Sequence, residues 1–129
     1  LKAAITGLGK LYLSEGPVLI HGDFYPGSWL RTENGLKVID AEFSFRGYAE
    51  FDLGVFAAHM ALASQGEEVT SELLERYAAG ANFDERLMRG FAGTEILRRL
   101  LGVAQLPLVL GLEQKQELMV KAAKWIMED

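Results

Sequence analysis

The stretch His21-Gly22-Asp23-Phe24-Tyr25-Pro26-Gly27-Ser28-Trp29 places a histidine, an aspartate and two glycines directly after the apolar run Val18-Leu19-Ile20. A second acidic motif, Asp40-Ala41-Glu42, follows Lys37-Val38-Ile39. Each motif thus sits just past a short run of strand formers, where juxtaposed strand ends would bring Asp23, Asp40 and Glu42 to one edge. Asp40 and Glu42 share a side if the chain stays extended. Gathered carboxylates repel one another unless a cation or proton intervenes. Hard oxygen ligands of this kind suit magnesium, which takes one or two carboxylates together with water and phosphate oxygens. The competing reading makes Asp23 and Asp40 ordinary turn residues; the pairing of two such motifs favours chemistry.

The elements that must position these residues can be read from periodicity. Leu1, Ile5, Leu8 and Leu11 or Tyr12 recur at helical spacing, and Gly16-Pro17 stops the pattern. Val18 to Ile20 is a short strand. Trp29 to Thr32 and Leu36 to Ile39 flank Glu33-Asn34-Gly35, a strong hairpin signal. Four helices follow. Phe51 to Ala63 is nearly all apolar and reads as buried; Thr70 to Ala79 carries Leu73, Leu74 and Tyr77 on one face, with Gly80 as its stop. Asn82, with Glu85 three residues on, is expected to cap a helix running through Leu87, Phe91, Leu97 and Leu101 to Ala104, before Pro107. Glu113 to Met127 closes the chain. Strands and helices do not alternate, so a parallel nucleotide-binding sheet is not expected. The expected fold is α+β, mostly helical, one domain over residues 1–129 with a small β-hairpin patch at its edge.

Bulk composition narrows the partners. The chain has 129 residues, half of them hydrophobic, enough for one domain with its own core. Its formal net charge of -5 argues against nucleic acid, whose affinity depends on lysine and arginine neutralising phosphates. With no cysteine, disulfides and thiolate metal sites are ruled out. No apolar run approaches the roughly 18 residues that span a bilayer, and the N-terminus does not read as a secretory signal. A cytoplasmic protein without membrane partners is the expectation.

The motifs "VLIHGDFYPGSWL" and "KVIDAEFSFRGYAEFDLG" resemble the catalytic loop and metal-binding segment of the kinase-like small-molecule phosphotransferases, a group that includes aminoglycoside phosphotransferases, choline kinases and methylthioribose kinases. The likeness is specific from Pro17 to Gly54 and looser to the end of the chain. Ser28 in place of the more common asparagine, Asp40-Ala41-Glu42 in place of an Asp-Phe-Gly type of motif, and the segment "EILRRLLGVAQ" lean towards the methylthioribose kinases. The resemblance implies a protein-kinase-like C-terminal lobe. It implies that Asp23 is the base that takes the proton of a substrate hydroxyl as it attacks the γ-phosphate of ATP. His21 belongs to the same catalytic loop and orients it, and Gly22 allows a tight backbone approach. Asp40 holds magnesium, assisted by Glu42 and, more weakly, Ser28; Asp52 accepts hydrogen bonds from the loop backbone. General-base help of this kind contributes about 10²- to 10⁴-fold.

Arg98 and Arg99 cannot both lie at the centre of the apolar face of their helix, because neighbouring helical residues differ by about 100°, so at least one is expected to flank a cleft. A solvated surface is one reading; the resemblance implies that the pair contacts a sugar substrate, which a guanidinium fork would suit. Phe24, Trp29, Phe43, Phe45, Tyr48 and Phe51 read mainly as core packing, and His59 as a hydrogen-bonded core residue. Two histidines without suitable spacing do not make a zinc site.

A complete kinase of this type also needs a lobe with a glycine-rich loop and a lysine over the phosphates. Gly7-Leu8-Gly9-Lys10 lies in a helical pattern and lacks that spacing. The expectation is therefore a catalytic lobe alone, inactive by itself, with the N-terminal nucleotide-binding lobe absent and ATP held mostly by that lobe. Its partner would be a hydroxyl-bearing small molecule, and a homodimer is left open. Two rivals stand beside a methylthioribose-type kinase: a phosphotransferase for aminoglycosides or amino-alcohols, and a kinase-like binding module that no longer catalyses.

Overall fold

The computed structural model describes residues 1–78 and 82–128. Helix α1 (Lys2–Tyr12) leads into β1 (Val18–Ile20). Gly16 makes the turn possible: a Cβ there would run into the backbone of Gly47, and its N–H donates to the Arg46 carbonyl at 3.1 Å. The hairpin of β2 (Trp29–Thr32) and β3 (Gly35–Val38) forms as expected, with Trp29 opposite Val38 and Thr32 opposite Gly35. Strand β3 begins at Gly35, which pairs with Thr32, and its φ of +93°, which glycine adopts at little cost, completes the reversal.

Two corrections concern the edge that carries the acidic motifs. The β-patch is two separate two-stranded sheets, since β1 pairs antiparallel with β4 (Phe45–Gly47), a strand hidden in an aromatic segment read as core packing. Nor is the chain extended between Asp40 and Glu42. Asp40 adopts a left-handed conformation (φ 58°) and Ala41–Phe43 make one 3₁₀ turn, so the two side chains do not alternate as in a strand.

The helices build the core. In α2 (Ala49–Leu62), Leu53, Val55, Ala57, Ala58, Met60 and Leu62 are buried. A Cβ on Gly54 would lie 2.8 Å from the Met88 carbonyl oxygen, which shows how closely α2 crosses α4 (Glu85–Leu101). Gly93 does the same for α4 against α5 (Leu112–Met127), and Ile96, Ala92 and Ala122 close the centre. Helix α3 (Glu67–Ala78) packs on α2; its expected stop, Gly80, lies outside the described residues.

The cap of α4 is Asp84 rather than Asn82: its carboxylate accepts the Leu87 N–H at 3.0 Å, and its own N–H is taken by buried Glu50 at 3.0 Å. Helix α4 also stops at Leu101, short of Ala104, because Gly102 turns extended. Among the described residues no helix is long and apolar enough to cross a membrane.

Candidate active site

The loop after β1 hangs from α2. Asp52, in the first turns of that helix, accepts the N–H of His21 at 2.7 Å and of Gly22 at 3.0 Å. Gly22 holds φ +84°, and a Cβ there would collide with the Phe43 carbonyl. The His21 ring is tied at both nitrogens. Nε2 meets the Ile39 carbonyl at 2.7 Å, which requires a proton on Nε2, while Nδ1 accepts the Asp23 N–H at 3.2 Å. A ring engaged on both sides orients the loop and has no nitrogen left to carry a substrate proton.

Burial raises the pKa of Asp52 above the usual aspartate value; the two backbone N–H groups oppose that rise, and the nearby Asp23 charge adds to it.

Ser28 is almost wholly buried, and its hydroxyl donates to the Asp23 carbonyl at 2.8 Å. The structure therefore places the expected metal ligand Ser28 inside the loop as a brace. Asp40 and Glu42 are exposed beside it, Asp40 adjacent to the Ile39 carbonyl that His21 grips. Among the described residues no three His, Cys, Asp or Glu side chains form a group that could hold a metal, so Asp23, Asp40 and Glu42 do not make a three-carboxylate metal site.

Asp23 opens instead on a cleft of about 640 Å³ shared with Arg98 and Arg99. Ile5, Leu8 and Tyr12 of α1 and Phe51 and Phe91 supply its apolar wall. Phe43 also lines it and is 59% exposed, so it is cleft surface rather than core. Tyr12 packs on both Phe45 and Phe51, and Phe24, Trp29 and Phe56 pack on one another; all six rings are half-buried, at the edge of the core rather than within it.

Both arginines are fixed by Glu95, one α-helical turn earlier. Arg98 donates Nε and Nη2 at 2.7 and 3.1 Å, and Arg99 donates Nε at 2.7 Å. His59, buried in α2 as expected, meets the same carboxylate at 3.1 Å. Burial alone would raise the Glu95 pKa, but hydrogen bonds from His59, Arg98 and Arg99 outweigh it and hold the carboxyl down to about 2. The Arg98 pKa is raised, chiefly by its bond to Glu95, with burial opposing and the Asp23 charge adding. Arg99 also lies over the Tyr25 ring, 5.3 Å from its centre. Sequence reasoning missed Glu95 and Tyr25, although the spacing of Glu95 to Arg98 and Arg99, three and four residues, was a legible helix-pair signal.

A base candidate, a braced loop and an anchored guanidinium pair share one cleft, and the chain is similar in sequence to known proteins. Residues 3–91 match the phosphotransferase enzyme family. The chain is 34% identical to the methylthioribose kinase of Geobacillus thermodenitrificans, aligned over 85% of the chain and 36% of that protein. It is 33% identical to that of Geobacillus kaustophilus, over 88% and 37% respectively. With the methylthioribose kinase of Pectobacterium atrosepticum it shares 32% identity over 91% of the chain and 38% of the relative. The chain thus spans little more than a third of the length of these curated relatives. Matched over residues 3–91, a span that includes the loop after β1 and the acidic motif Asp40-Ala41-Glu42, the chain belongs to the phosphotransferase enzyme family.

Proposed function

We propose that these residues form the acceptor-binding and base-carrying lobe of an ATP-dependent kinase that phosphorylates a hydroxyl of a small sugar, with methylthioribose the acceptor suggested by the names of its relatives. The observation that carries the reading is that Asp23, on a loop suspended from Asp52, shares its cleft with Arg98 and Arg99. Asp23 takes the proton from the acceptor hydroxyl; the freed oxygen bonds to the γ-phosphorus, and the bond to the β-γ bridging oxygen breaks to release ADP. The arginines orient the sugar by hydrogen bonds to its other hydroxyls. A cationic amino-sugar would meet two guanidinium groups there, which weighs against the amino-alcohol alternative.

Exposed Asp40 fits magnesium, since one or two carboxylates beside phosphate oxygens suffice for that ion, and Glu42 lies close by in sequence. When bound, the ion would neutralise charge on the transferring phosphate. Ser28 is assigned to bracing the loop. The segment Gly7-Leu8-Gly9-Lys10 is helical and lies within α1, so it is not a phosphate loop, and grip on ATP is assigned to residues outside this lobe. The 129 residues alone are accordingly expected to release no ADP from ATP and sugar.

The test is ADP release by the full polypeptide containing these residues, supplied with ATP, magnesium and methylthioribose. Asp23→Asn should lower kcat by about 10²- to 10⁴-fold with the melting temperature retained. Turnover by the variant at the unsubstituted rate would refute the base assignment, and a wild-type protein that phosphorylates no sugar would support a binding module instead.

A further inference from the structure

We propose that Glu95 is the positioning residue of the acceptor site, its single buried carboxylate holding Arg98 and Arg99 in register with the loop that carries Asp23. The inference rests on the kinase reading above and goes one step further, to a residue that would not touch substrate.

The stoichiometry is the first argument. Glu95, 6% exposed, receives three N–H donors from two guanidinium groups and a fourth contact from His59, so one carboxylate sets the position of both arginines at once. With Asp23 in the same cleft the formal charges of Asp23, Glu95, Arg98 and Arg99 cancel, and the arginines there offer N–H donors that suit hydroxyl oxygens.

Geometry is the second. Each guanidinium is bound to Glu95 through its Nε edge, so its torsions are fixed before any acceptor arrives. Arg99 is further held by Nη1 to the Ala104 carbonyl at 3.3 Å. Among the described residues Arg98 Nη1 and Arg99 Nη2 meet no protein acceptor and remain as donors, with both side chains lining the cleft. A pinned planar fork loses less freedom on binding than a loose one.

The third is connection to the chemistry. The Tyr25 ring lies 5.2 Å from that of His59 and under the Arg99 guanidinium, and Tyr25 is two residues from Asp23. Helix α2, helix α4 and the loop therefore meet around one carboxylate, and a shift of Glu95 displaces the sugar anchors relative to the base.

The experiment measures acceptor KM, ATP KM and kcat of the full polypeptide for Glu95→Gln, Glu95→Asp, the double variant Arg98→Ala/Arg99→Ala, and that double variant carrying Glu95→Gln. Glu95→Gln should raise acceptor KM about tenfold or more while kcat and ATP KM stay within about threefold, and Glu95→Asp should recover part of the loss. In the background without arginines, Glu95→Gln should add nothing further. An unchanged acceptor KM, or the same fold-increase without the arginines, overturns the proposal. Should Glu95→Gln not fold, the rise in acceptor KM of Glu95→Asp decides. The arginine Nε–H resonances give a readout free of turnover: slow exchange in the wild type should be lost in Glu95→Gln, and its persistence refutes the clamp. A protein that phosphorylates no sugar would defeat the kinase reading while these resonances still judge Glu95.

Discussion

Replacing Asp52 by alanine should release the catalytic loop from helix α2. The carboxylate accepts two backbone N–H groups, at 2.7 and 3.0 Å, from His21 and Gly22. Hydrogen bonds to a charged group contribute about 1.5–3 kcal/mol each, so the pair is worth roughly 3–6 kcal/mol. Two effects reduce that figure: burial already disfavours the Asp52 charge, as its raised pKa indicates, and both donors are only half-buried, so water replaces part of what is lost. A net loss of about 2–4 kcal/mol follows. Activity should fall further, since a displacement of about 1 Å at the reacting centre costs on the order of 10²-fold. The decisive assay is amide hydrogen exchange at His21 and Gly22 beside kcat in the full polypeptide. Wild-type protection at both amides with undiminished kcat would refute the suspension of the loop from Asp52. The pH dependence has a definite sign: because its folded pKa lies above the unfolded one, ionised Asp52 subtracts stability at higher pH, and the penalty is relieved as pH falls through the folded pKa. Asp52→Asn should abolish that dependence.

Gly22→Ala should cost more than the roughly 1–2 kcal/mol of a left-handed backbone, because the new methyl also meets the Phe43 carbonyl; an unchanged urea midpoint would show that the loop is free to move away. Glu95 predicts an acid limb. Its carboxyl sits at about 2 rather than 4.5, a difference worth about 3 kcal/mol at roughly 1.36 kcal/mol per pH unit. That contribution is complete above pH 4.5 and is lost as pH falls towards 2. Urea unfolding at pH 7 and pH 3 should reveal it in the wild type and not in Glu95→Gln; equal slopes in both proteins would contradict it.

Local rules carried much of the fold. Periodicity located the helices, and the Asn34-Gly35 pair marked the hairpin, because both signals depend on near neighbours. The burial of His59 also followed from its place in an apolar helix, whereas the suspension from Asp52 came from the resemblance of its segment to the family. What escaped was set by distant parts of the chain or by competition among neighbours. Strand β4 is three residues long and exists through its pairing with β1, so no alternation could announce it. The 3₁₀ turn at Ala41–Phe43 depends on the left-handed Asp40, a conformation a non-glycine residue seldom takes, and it separated the carboxylates an extended chain would have aligned. Asn82 and Asp84 both had capping chemistry; Asp84 took the role with Glu50, from α2, accepting its N–H. In the site, the arginines were legible but their shared anchor was passed over, since a glutamate within a helix ordinarily belongs to solvent.

The bonds from Asp52 to His21 and Gly22 join residues 31 and 30 positions apart, and the His59–Glu95 contact closes a span of 36. Helices can form from near neighbours in about a microsecond, whereas loops of this size must first surrender chain entropy. The loop that carries Asp23 and the helix that carries Arg98 and Arg99 are thus held in place by contacts that exist only where α2 docks on β1 and α4. The site therefore depends on tertiary docking rather than on helix content: a chain with its helices formed and α2 undocked would leave the loop after β1 without its anchor.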